Sequence, residues 1–212
     1  PADDRSAFLP YESVRRCVYR ADEDWREPVS PENPQYLGVD VGRTRDLTVF
    51  WLLEKCGDVL FTRDVRVFRD IPFSEQEVVL HSYLRNPYLR RAAVDMSGLG
   101  RQFAERAAER YGSSRVEGVA FTRQTKEILA YPLRTRFENA TVRIPDDIEV
   151  LADLRAVKKE VSGGGVRFAA ERTADGHSDR FWALALASHA ARENFGGSAV
   201  SLVSRRDSGF VW

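Results

Sequence analysis

Three aspartates in this chain stand where their type and spacing could do chemistry. Asp40 ends the run YLGVD, Asp95 ends RAAVD, and Asp179 opens DRFWALALA. The first two runs read as strands and the third as a helix. A carboxylate carried into an apolar strand loses hydration, and a bound cation or hydrogen bonds must offset that loss. If the two strands are adjacent and parallel, their ends lie about 5 Å apart. Two carboxylates there repel unless they share a proton or a metal. A buried helix opening with Asp179 could bring a third oxygen donor to the same edge. Carboxylate-only ligation selects hard cations, Mg²⁺ or Mn²⁺, and one or two such ions can promote phosphodiester cleavage. Asp40, Asp95 and Asp179 are therefore the candidate catalytic and metal-ligating residues. Each also has an ordinary role open to it. Asp40 can close a turn, Asp95 can bond to the amides that follow it, and Asp179 can favour a helix start through the macrodipole.

Neighbouring residues carry weaker signals. Asp46 is an auxiliary candidate beside Asp40, with a turn salt bridge to Arg43 or Arg45 as the alternative. His177 could orient Asp179 or cap its helix, and Asp175 is assigned to the preceding loop. Arg123 and Lys126, opening a helix, could hold a backbone phosphate, as could Lys158, Lys159 and Arg167 on a glycine hairpin. The alternative for the hairpin residues is a solvated surface. Phe181 and Trp182 read as core, and Cys17 and Cys56 carry no signal.

The elements that must position these residues can be read in order. Residues 1–35 are punctuated by Pro1, Pro10, Pro28, Pro31 and Pro34, and are expected to form an N-terminal extension or linker on the surface, with a short helix over 11–20. Strands are expected at 36–41, 47–54 and 58–68, the last two joined by a Gly57-Asp58 turn. A helix over 73–85 has Ser74 and Glu77 spaced for a capping box. A strand at 91–95, a helix at 98–111 closed by Gly112, a strand at 116–121 and a helix at 124–139 containing Pro132 follow. Residues 142–144 form a short extended piece, 147–157 a helix, and 157–170 a hairpin around Gly163, Gly164 and Gly165. The helix at 177–192 is so apolar that it must be buried, and 196–212 is expected to be a flexible tail. Three antiparallel strands, then alternating helices and strands, predict an α/β fold. Its expected form is a ribonuclease H-like mixed five-stranded sheet with helices on both faces and a β-hairpin insertion. The domain proper is expected over 36–195.

Bulk composition narrows the class. A length of 212 residues with 43% hydrophobic and 30% charged residues suits one globular domain. The 32 basic and 32 acidic residues cancel, so any nucleic-acid surface must be local. Two cysteines argue against a disulfide scaffold or a cysteine-rich zinc site. No membrane span or signal peptide is visible, and a cytosolic protein is expected. The chain starts at Pro1 and its one methionine is Met96, which leads to the expectation of a domain from a longer reading frame.

With these residues assembled, the chain resembles the C-terminal nuclease domain of the large terminase subunit of tailed bacteriophages. The resemblance is carried by GVDVGRTRDLTVF, AVDMSGLG, TRQTKEILAYPLRTRFENATVRIP and DGHSDRFWALALASHAA, in that order over roughly residues 36–193. It implies a metal-dependent endonuclease that cuts concatemeric viral DNA during packaging by a two-metal-type mechanism. Asp40, Asp95 and Asp179 would be its triad, and the hairpin near Gly163 would regulate or grip DNA. It further implies double-stranded DNA, an N-terminal ATPase domain, a portal protein and a small terminase subunit as partners, in the host cytoplasm. No Walker A loop occurs, so ATP hydrolysis is not expected of this segment. Sugar kinases and actin-like ATPases share the GVDVG-type opening, but need a second lobe for which there is no room. The remaining alternatives are a Holliday-junction-resolvase-like nuclease and a non-catalytic portal-docking module.

Overall fold

A computed structural model of the chain describes residues 7–42, 47–98, 100–162, 165–170 and 178–192. Helix α1 (Tyr11–Arg16) precedes strands β1 (Gln35–Asp40), β2 (Thr48–Cys56) and β3 (Val59–Phe68). These strands follow from their β-branched and aromatic residues, and the β2–β3 turn is set by Gly57 at φ +57°. Helix α2 (Phe73–Leu84), strand β4 (Leu89–Asp95), helix α3 (Gly100–Tyr111) and strand β5 (Val116–Val119) follow. Then come α4 (Arg123–Glu138), β6 (Val142–Arg143), α5 (Ile148–Ala156), β7 (Val157–Ser162), β8 (Gly165–Ala170) and α6 (Asp179–Ala190).

The main sheet has the order β5-β4-β1-β2-β3-β6, and β7 and β8 form a separate hairpin. Strands β1, β2 and β3 are antiparallel neighbours, whereas β4 runs parallel to β1 and β5 parallel to β4. This is the expected ribonuclease H-like arrangement with one strand more than the five expected. The short piece at 142–143 pairs in parallel with Leu60 and Phe61 at the far edge of the sheet.

Alternation along the strands splits the interior into two cores. Val49, Trp51, Leu53, Ala93 and Val119 face α4, α5 and the buried α6. Leu37, Val39, Phe50, Leu52, Ala92 and Val94 face α2 and α3. Helix α6 presses so closely on β1 that a Cβ at Gly38 would lie 2.0 Å from the Ala183 carbonyl oxygen and 2.3 Å from the Ala187 nitrogen.

Two expectations need correction. Ser74 does not cap α2: the helix begins at Phe73 with Pro72 as its N-cap, and no side chain bonds to the cap. Proline's fixed φ sets that start without a hydroxyl. The segment expected to be a surface linker is also partly core, because Phe8, Leu9, Val14 and Cys17 are buried with α4, α5 and α6. Pro10 starts α1 beside buried Leu9, whereas Pro28 and Pro31 lie in an exposed stretch. Burial pushes the Cys17 thiol up to about 11, which leaves it inert. No helix among the described residues is long and apolar enough to cross a membrane.

Candidate active site

Asp40 and Asp95 reach one sheet edge because β1 and β4 are parallel and in register. Val39 pairs with Val94, so the two aspartates lie side by side one residue further on, on strands about 4.8 Å apart. Their neighbours Val39 and Val94 face α2 and α3, so alternation turns both carboxylates toward α6. Asp179 arrives by a different route. It opens α6, four residues before Ala183, which touches Gly38. Four helical residues rise about 6 Å, and the two residues from Gly38 to Asp40 span about 7 Å. The carboxylate of Asp179 also accepts a 2.9 Å bond from the amide of Leu47, just beyond the Asp40 end of the hairpin. Asp40, Asp95 and Asp179 are 7%, 4% and 6% exposed, respectively.

The ordinary roles are partly visible. An oxygen of Asp95 accepts from the Ser97 amide at 2.9 Å, shaping the turn into α3. These bonds orient the carboxylates and do not exclude a ligand role, since each carboxylate offers several lone-pair directions.

Of the basic residues singled out, Lys126 lies deepest in the site. Burial pushes its pKa down, Asp40 and Asp95 oppose that shift, Arg167 adds to it, and Asp179 opposes it. One ammonium therefore sits within the fields of all three aspartates. It stands 4.5 Å from the ring centre of Trp182 and 5.2 Å from that of Phe121. Arg167 is exposed on β8, and Arg123 is exposed at the first residue of α4. Lys158 and Lys159 part company, as successive strand residues must. Lys159 lies 5.3 Å from the ring centre of Tyr131, whereas Lys158 lines a groove with Tyr11, Ile148 and Arg155. Asp46, His177 and the hairpin tip at 163 and 164 lie outside the described residues.

One supporting group went unnoticed in the sequence. Arg180, next to Asp179, is 4% exposed. Its guanidinium donates to Asp153 at 3.2 Å and pairs with Glu149, both on α5. The carboxyl of Asp153 also accepts from the Arg180 amide at 3.3 Å. This clamp fixes where α6 begins, and so where Asp179 stands. An arginine in an otherwise apolar helix was the available signal, because a charge is buried only when paired.

The donor set suits a hard divalent cation, being oxygen-only and nearly water-free. As placed, no three His, Cys, Asp or Glu side chains among the described residues are grouped closely enough to hold an ion.

Comparison with known proteins agrees with this architecture. The chain is 30% identical over 129 residues to the Mu-like prophage FluMu protein gp28 of Haemophilus influenzae, covering 60% of this chain and 25% of that protein. It is 30% identical over 146 residues to the probable terminase, large subunit gp28, of Escherichia phage Mu, covering 64% and 26%. The chain therefore spans about a quarter of the length of these relatives. The large terminase nuclease of thermophilic phage G20c, solved with bound cobalt, superposes with a TM-score of 0.69 at 20% identity over 87% of this chain and 97% of that one. Its magnesium-bound structure gives a TM-score of 0.67 at 21% identity, with the same coverage. The model of the terminase RNaseH-like domain matches residues 37–191, from β1 to the end of α6, and the chain belongs to that family.

Proposed function

We propose that this chain is the nuclease domain of a terminase large subunit, a metal-dependent endonuclease that cuts concatemeric viral DNA during genome packaging. The observation that carries the reading is the meeting of three buried aspartates from two parallel strands and one helix at a single edge. The names of the Mu and G20c proteins and the metals bound in the G20c structures support it. Asp40, Asp95 and Asp179 would hold Mg²⁺ or Mn²⁺. The chemistry such a cation would supply, as one ion or two, is activation of water and stabilisation of the leaving oxygen. The protein's own part is to exclude bulk water from the carboxylates and fix their directions through the amides of Ser97 and Leu47. Arg123, exposed at the first residue of the helix that carries Lys126, and Arg167, exposed on β8, would bear on DNA phosphates, orienting the backbone without reading bases. In the whole protein, an ATPase domain, a portal protein and a small terminase subunit would deliver double-stranded DNA in the host cytoplasm.

Incubating the chain with supercoiled plasmid and Mn²⁺, Mg²⁺ or EDTA tests this. Nicking and linearisation that need metal and fall about a thousandfold in Asp40→Asn are expected, equivalent to roughly 4 kcal/mol of transition-state stabilisation. An Asp40→Asn protein that cuts as fast as the parent would remove Asp40 from the mechanism. The alternative reading is a non-catalytic module that docks on the portal. A flat Mn²⁺ titration together with no cleavage would favour it.

A further inference from the structure

Lys126 is held in an unusual way for a residue near a helix start. The cap at Thr122 is locked in both directions: Thr125 donates its amide to the Thr122 hydroxyl at 3.1 Å, and Thr122 donates its amide to the Thr125 hydroxyl at 2.7 Å. This fixes the first turn of α4 and aims the lysine stem inward. The ammonium then rests against the rings of Phe121 and Trp182, which pack on each other at 5.4 Å between centres. Trp182 lies on α6 three residues after Asp179, so the element that delivers the third carboxylate also seats the lysine. A lysine whose role was solvation would keep its head in water; this one is half-buried against two aromatic rings and within the fields of three aspartates.

Resting on the reading of this edge as a metal centre, we propose that Lys126 is the built-in counter-cation of the site. It is a positioning residue that balances Asp40, Asp95 and Asp179 in the metal-free protein and competes with an incoming divalent cation for them. Three buried carboxylates repel one another, and a cation held by aromatic faces can offset part of that repulsion without closing the site. The same charge then repels a divalent ion, so metal binds more weakly than the carboxylates alone would allow. A phosphate offers the ammonium another partner, which couples DNA binding to metal binding with positive sign.

Calorimetric titration of Mn²⁺ into the 212-residue chain tests this, alongside melting in EDTA. Lys126→Met, which keeps the stem and removes the charge, should bind Mn²⁺ at least tenfold more tightly and melt at a lower temperature in EDTA. Lys126→Arg should keep the parent affinity within about threefold. Lys126→Gln serves the same purpose as Lys126→Met if circular dichroism shows the latter to be misfolded. A folded neutral variant whose Mn²⁺ affinity is unchanged or weaker overturns the inference, since loss of packing alone would not tighten metal binding. A parent chain that takes up no Mn²⁺, indistinguishable from Asp179→Ala, overturns the metal-centre reading and the inference with it.

Discussion

The two ends of the β1–β2 hairpin both bury carboxylates, and they surround them with opposite balances of charge. At one end Glu54, opposite Gln35, is fully buried. It accepts from the Val29 and Ser30 amides at 3.0 Å each, from the Asn33 side chain at 2.6 Å and from Arg63 at 2.5 Å. Arg63 in turn donates to the Trp25 carbonyl at 3.0 Å, so one ion pair ties the segment before β1 to the sheet. About 17 Å away along the strand, Asp40 sits beside Asp95 with Asp179 brought in by α6. One carboxylate answered by one guanidinium and three donors is a structural joint. Three carboxylates gathered around one lysine store repulsion, and such a cluster gains by binding a cation. Burial of charge by itself therefore says little; the local balance of charge decides whether it is a satisfied joint or a cluster open to a cation.

The largest expected effect separates the two ends by sign. Glu54→Ala leaves Arg63 buried without its partner and should cost about 3–5 kcal/mol in denaturant unfolding. Asp95→Asn, which keeps the bond to Ser97, should leave stability within about 1 kcal/mol or raise it. Equal losses would erase the contrast.

A pair of glycines sharpens it. At Gly38 an added Cβ meets the α6 backbone at 2.0 Å, which no side-chain rotation relieves. Gly38→Ala should cost about 1–3 kcal/mol and also lower plasmid cleavage, because α6 carries Asp179. At Gly57 the φ is +57° and the space is open. Gly57→Ala, at the structural end, should cost about 1–2 kcal/mol and leave cleavage intact.

The smallest effect is a pH dependence. Burial pushes the Glu54 carboxyl up, but the Ser30 amide, Asn33, Arg63 and the Val29 amide outweigh it and hold it below its ordinary 4.5. A carboxyl depressed in the folded state stabilises the protein above its unfolded pKa, and that contribution disappears as pH falls through the folded value. Melting temperature should therefore fall on acidification below about pH 4.5 more steeply in the parent than in a folded Glu54→Gln protein. Parallel curves would show that Glu54 is not the group being titrated.

Much of this fold was legible in the chain. The β-branched runs, the Gly57-Asp58 turn, the glycine hairpin and the apolar last helix each form close to where their residues call for them. Asp40, Asp95 and Asp179 also stood out, because a carboxylate ending an apolar run is locally anomalous. Less was legible wherever an outcome depends on a distant partner. The prolines before β1 hid Phe8, Leu9 and Cys17, whose burial is decided by α4, α5 and α6. Lys158 and Lys159 looked like one basic pair, yet the hairpin's docking sends one to the α1–α5 groove and the other to Tyr131. Lys126 was legible only as a phosphate candidate at a helix start; its place against an aromatic pair and within the fields of three aspartates depends on α6 and the sheet.

By itself the sequence determined the elements and the kind of donor each one carries, because propensity and periodicity act over a few residues along the chain. Only the tertiary structure decided that Asp40 and Asp95 are neighbours, that Gly38 lets α6 bring Asp179 to them, and that Lys126 stands within their fields. Parallel register, close helix–sheet approach and electrostatic reach are relations between segments far apart in the chain, and they exist only once the shared core has brought those segments together.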